Sequence, residues 1–123
     1  MVLDIKQKLL ELPDQIAELE MAAYKKQSML EEILQQQRIW ESSKMDEICN
    51  TVDEATGKPK FSNDAKRQAE LLRLKSTDQQ YLALEEERKA FFQEIRMTEI
   101  DIRRLSNLQS NLRSICRLES ESA

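Results

Sequence analysis

A single glycine among 123 residues is the feature that most limits what this chain can fold into. Sheet-containing domains of this size need repeated tight turns with positive φ, and glycine is the residue that supplies them at least cost. Only two prolines accompany it, and Leu, Glu, Lys, Arg, Gln, Ala and Met dominate the remainder. Those are strong helix formers. Charged residues make up 34% of the chain and hydrophobic residues 40%. That balance suits long solvated helices and is too apolar for a disordered chain. The expected class is all-α.

The spacing of the apolar residues says where the helices run. From Pro13 to about Cys49 nothing interrupts a helix, and Val2, Ile5, Leu9 and Leu12 carry the same spacing upstream. The first helix is therefore expected at about 3–49, with Pro13 as its one kink site. Its seam runs Ile5, Leu9, Leu12, Ile16, Leu19, Ala23, Leu30, Ile33, Trp40, in steps of three and four or their sums. This is the coiled-coil pattern. Met29, Leu34, Met45 and Ile48 read as lying beside the seam and widening it. Residues 50–63 gather the lone Gly57, Pro59 and a cluster of Asp, Asn, Ser and Thr, which marks a turn. Ser62 or Asn63 then caps a second helix expected at about 64–118. Ser76 and Gln79 have capping-box spacing, yet a continuous or slightly kinked helix is the favoured reading. The second seam reads Leu74, Tyr81, Leu84, Phe91, Ile95, Ile102, Leu105, Leu112, Cys116. Residues 119–123 lack apolar periodicity and are expected to fray.

Two helices joined by a short turn should return antiparallel, and the apolar positions match when the chain is folded about residue 62. Ile16 then meets Leu108, Ile33 meets Phe91, Trp40 meets Leu84 and Val52 meets Leu72. The expected architecture is one domain, a long antiparallel helical hairpin. Without a third layer its flanking apolar residues stay wet in a monomer, so a homodimer is expected, with two hairpins forming a four-helix bundle. Lys26, Gln37, Thr98 and Gln109 interrupt the seams, and polar seam positions commonly fix register and oligomeric state.

No catalytic constellation emerges. Histidine is absent, which removes the commonest general base and transition-metal ligand. Cys49 and Cys116 stand far apart with no further ligand nearby, so they read as small buried hydrophobes. Glu85, Glu86 and Glu87 are consecutive and point in three directions around a helix. Gly57-Lys58 lacks the other residues of a phosphate loop. Trp40 reads as a core anchor. The expectation is a non-enzymatic chain with no cofactor, metal or small-molecule substrate. No signal peptide or membrane span is evident, and a cytoplasmic setting is the default.

Charge divides along the chain. Residues 1–56 hold 12 acidic and 6 basic side chains, whereas residues 57–118 hold 13 basic and 9 acidic ones. An acidic helix beside a basic one explains this as flanking charge that favours their pairing. A second reading, less favoured, has Arg96, Arg103, Arg104 and Arg113 gripping phosphates as a nucleic-acid accessory surface. The helix lacks interleaved exposed aromatics and any groove-reading motif.

The stretch from Asp53 through Gly57, Lys58, Phe61, Ser62 and Asn63, followed by Arg67 and Tyr81, resembles the tip of small coiled-coil accessory proteins encoded by bacteriophages and prophages. The resemblance covers roughly residues 48–118. It implies a bacterial or phage setting, no enzymatic activity, and roles beside recombination proteins or against host nucleases and defence complexes. The expected function is a protein-binding module, an oligomerising adaptor or an inhibitor. Its contact residues are expected at the tip (Lys58, Pro59, Lys60, Phe61) and on the widened apolar face (Met29, Leu34, Phe92, Ile115).

Overall fold

The structure, a computed structural model, describes the backbone of residues 2–122 and the side chains of residues 4–121. The described residues form three helices: α1 at Val2–Asn50, α2 at Asp64–Thr77 and α3 at Gln79–Ser122. The class is all-α, as the lone glycine requires. Pro13 sits within α1 without ending it. One missing N–H costs less than interrupting a helix whose apolar seam continues on both sides.

The expected second helix is broken at Asp78, which takes an extended conformation with φ −75° and ψ 122°. Its carboxylate Oδ1 accepts from the Tyr81 amide at 2.9 Å, so Asp78 caps α3. Its own amide donates to the Leu74 carbonyl at 2.8 Å, closing the end of α2. The Ser76–Gln79 capping box is not formed, because the Ser76 hydroxyl turns back to the Arg73 carbonyl at 2.7 Å. α3 also continues past the expected end at Leu118, as far as Ser122.

Packing falls into two units, 1–29 with 91–123 and 30–90. In the first, Leu12, Ile95, Thr98 and Leu112 are buried, with Ile16, Leu19, Ile102 and Leu105 half-buried around them. Thr98 is a polar seam residue whose hydroxyl donates to the Glu94 carbonyl one turn back at 2.9 Å. Lys26, a second polar seam residue, reaches Glu94 across 3.9 Å. Such back-bonding and pairing answer the polar groups that burial would otherwise strand.

The second unit centres on Trp40, Ile48 and Leu71, with Met45, Phe61, Leu74 and Tyr81 packed against them. Ile48 thus belongs to the core itself, while Met45 packs beside it, half-buried. Cys49, expected to be buried, is exposed. It follows Ile48 by one residue, and one residue turns the side chain about 100° around a helix. Cys116 is half-buried.

Candidate interaction surfaces

The turn between α1 and α2 is a built structure. Asp53 organises it: its Oδ1 accepts from the Ala55 amide at 2.9 Å, and its carbonyl accepts from the Gly57 amide at 2.7 Å. Gly57 has φ +70°, a left-handed conformation that side chains with a Cβ resist. Beyond it the chain doubles back, with the Asp53 amide donating to the Lys58 carbonyl at 2.8 Å and the Lys60 amide to the Thr51 carbonyl at 3.0 Å. Val52 and Pro59 form an isolated antiparallel bridge. Val52 and Leu72, expected to face each other, are both exposed. Asn63 caps α2, its Oδ1 accepting from the Lys66 amide at 2.9 Å.

The four expected tip residues divide by what holds them. Lys58, Pro59 and Lys60 are exposed, whereas Phe61 is half-buried and packs on the Trp40 cluster. The Phe61 carbonyl accepts from Arg67 Nε at 3.2 Å, and Lys60 Nζ lies 5.6 Å from the Phe61 ring centre. A shallow hollow beside them is lined by Lys60, Phe61, Lys66, Ala69, Glu70 and Arg73. Arg73 grips Glu70, with Nη2 to Oε1 at 2.6 Å, and this hydrogen bond holds the Glu70 carboxyl below its ordinary range. The tip therefore presents cations on a turn anchored through Phe61.

A belt of polar contacts follows on the same unit. Gln37 is buried, and its Nε2 donates to Glu85 Oε2 at 2.9 Å. Glu85 also holds Arg88 one turn on. The Arg88 bond first, and the Gln37 bond second, pull the Glu85 carboxyl down to about 2. Lys75 Nζ meets Glu41 Oε1 at 2.8 Å, which raises the ammonium above its usual value. Trp40 stacks on Tyr81 with ring centres 4.6 Å apart. Burial pushes the Tyr81 phenol up. Trp40 was expected opposite Leu84; the aromatic pair lies about one turn earlier. The Trp40 Nε1–H is buried with no hydrogen-bond partner among the described residues.

Of the expected apolar contact residues, Met29, Phe92 and Ile115 are exposed in the first unit, and Leu34 is half-buried in the second. A different apolar pattern is more continuous. On α1, Leu10, Ala17, Met21 and Tyr24 are exposed and fall within about 60° of one another on a helix turning about 100° per residue. On α3, Met97, Ile100, Leu108 and Ile115 are exposed and span about 80° by the same geometry. The sequence carried this signal as a second set of three-, four-, seven- and eight-residue steps, which the stronger buried seam masked.

All four arginines of the phosphate-binding alternative, Arg96, Arg103, Arg104 and Arg113, are exposed on α3. Arg104 pairs with Asp101 at 3.6 Å. Arg96, Arg103 and Arg113 make no ion pair among the described residues. Also among the described residues, no three His, Cys, Asp or Glu side chains are placed to hold a metal ion, and no helix is long and apolar enough to cross a membrane.

Comparison with protein-family models, with curated proteins and with solved structures returned no match.

Proposed function

We propose that this chain is a non-enzymatic helical hairpin that works by protein–protein contact, as an oligomerising adaptor or an inhibitor of a larger complex, in a bacterial cytoplasm and of phage or prophage type. The observation that carries this reading is the tip. Lys58 and Lys60 are exposed on a turn whose backbone is tied at Asp53 and Thr51, so a partner meets a preformed loop bearing cations. Preorganisation of this kind lowers the cost of binding. An acidic surface on the partner is the complement.

The hairpin itself is supported within each unit by the order of neighbours. In one, Gln37 bonds Glu85, Trp40 stacks on Tyr81 and Glu41 pairs with Lys75. In the other, Glu11 and Gln15 share a groove with Leu108, while Ala23 and Gln27 share one with Ile95 and Ile102. Numbers rise on α1 as they fall on the facing helix, the signature of antiparallel pairing. Exposed Met29, Phe92 and Ile115 support association with a second copy, which would bring four helices together.

The test is recovery of a partner from bacterial lysate by the full chain, compared with Lys58→Glu and Lys60→Glu variants. Loss of the same partner with both variants supports the tip, and equal recovery overturns it. The unpaired Arg96, Arg103 and Arg113 favour the alternative, a nucleic-acid accessory for recombination or replication. Binding to single- and double-stranded DNA that falls steeply with salt would support that alternative. Absence of binding at low salt would remove it.

A further inference from the structure

The four arginines of the phosphate-binding alternative do not share one surface. On a helix turning about 100° per residue, Phe92, Arg96 and Arg103 fall within about 40° of one another. Arg104 stands about 100° from Arg103 by the same geometry, and it pairs with Asp101. Phe92 is 50% exposed, which corrects the expectation that these arginines lack an exposed aromatic beside them. At 1.5 Å per residue the row from Phe92 to Arg103 is roughly 16 Å long. Arg96 and Arg103 make no ion pair among the described residues, although Glu99 lies about one turn from each.

This row follows a groove of the first unit lined by Glu20, Tyr24 and Gln27 of α1 and by Ile95, Glu99 and Ile102 of α3. Glu99 falls about 20° from Phe92 and about 40° from Arg103, so the row runs along the α3 bank. Tyr24 stands on the α1 bank and is 70% exposed. Neither Tyr24 nor Phe92 stacks on another ring among the described residues. Exposed rings beside unpaired guanidinium groups are what an unpaired nucleic-acid strand engages, since each base offers a π-face and each phosphate a negative charge. In a duplex those base faces are covered by their neighbours. Glu20 and Glu99 repel phosphate from the groove itself, and a carboxylate accepts hydrogen bonds from base amino groups. The backbone therefore belongs along the arginines, with bases turned towards the rings.

We infer that Tyr24, Phe92, Arg96 and Arg103 form a binding surface for single-stranded nucleic acid, with the rings stacking on bases and the arginines holding phosphates. The inference rests on the nucleic-acid reading given above as the alternative, and it narrows that reading to an unpaired strand and to these four residues. It is an activity separate from the tip, whose Lys58 and Lys60 belong to the second unit.

Fluorescence anisotropy tests this with the full chain and labelled oligo-dA, oligo-rA and the oligo-dA·oligo-dT duplex at low salt. At least one single strand should bind about tenfold more tightly than the duplex, the discrimination that one stacked base supplies. The tighter of the two strands identifies DNA or RNA as the source. Tyr24→Leu and Phe92→Leu keep apolar bulk but remove the ring, and each should weaken single-strand binding about tenfold. Tyr24→Trp and Phe92→Tyr should retain it. Arg96→Gln and Arg103→Gln should each reduce the salt slope of single-strand binding by about 0.7. All four positions are exposed, and circular dichroism verifies that helix content is kept. A duplex bound as tightly as either strand overturns the inference and leaves the broader nucleic-acid reading standing. Single-strand binding unchanged by the leucine or the glutamine variants overturns it as well. Absence of binding to every probe removes both.

Discussion

Gln37 and Glu85 are joined across the second unit by a hydrogen bond from Nε2 to Oε2 at 2.9 Å, and the same carboxylate holds Arg88. One acidic group thereby satisfies a buried amide and a cation together. The arrangement makes an interrupted seam tolerable, because a buried amide without an acceptor costs more than the apolar residue it replaces.

Glu85 therefore couples stability to pH. Its folded carboxyl titrates at about 2 against an ordinary 4.5. A depressed pKa stabilises the fold above the unfolded value and loses that contribution as pH falls through the folded one. Wild type should exceed Glu85→Gln in stability at neutral pH, and the margin should shrink between pH 4.5 and about 2. Urea denaturation of both proteins across that range measures it. A margin that is constant with pH would refute the assignment.

Trp40 fills the centre of its cluster and stacks on Tyr81. Trp40→Ala should cost about 3–5 kcal/mol, the range for removing a buried aromatic side chain. Trp40→Phe should cost well under that, because the indole N–H has no partner among the described residues. Chemical denaturation compares the two, with circular dichroism as the probe.

At Gly57 the obstacle to a side chain is conformational alone. An added Cβ meets nothing within 4 Å, yet φ is +70°. Gly57→Ala should destabilise by about 1–2 kcal/mol, and Gly57→Asn by less, since asparagine tolerates the left-handed region. Equal losses from the two would point to a different cause. Thermal melts rank them.

Asp78 separates α2 from α3 by capping one and closing the other. Asp78→Ala should cost about 1 kcal/mol, the usual value of an N-cap. Amide hydrogen exchange should speed up at Tyr81, whose N–H loses its acceptor, while α1 amides far from the break are unchanged. Ser76→Ala should leave the Tyr81 amide as it is, because Ser76 bonds backward to Arg73.

Phe61 bears on how the tip is to be probed. It packs on the Trp40 cluster, so Phe61→Ala disturbs the core as well as any docking surface. Lys58, exposed on the turn, is the cleaner probe of binding, whereas Lys60 also lies over the Phe61 ring, so its variant is read beside a circular dichroism melt.

Helix class, the two seams and the turn at Gly57 were legible in the sequence because they are local properties. Apolar residues at three- and four-residue steps state their helix and its buried face without reference to anything distant. A glycine beside a proline states a turn in the same way. Asp78 is local as well, but Ser76 and Gln79 offered a competing pattern, and which side chain reaches which backbone amide was settled by geometry. The Trp40–Tyr81 pairing, the inward Phe61 and the exposed Cys49 were decided only in three dimensions. The first two depend on how many residues the turn spends before α2 begins, which periodicity does not encode, whereas Cys49 is set by its 100° step from Ile48 once the seam's centre at that end of α1 is known. The outward stripes belong to the same class: their residues are plain in the sequence, but their direction relative to the core exists only once the seam is buried.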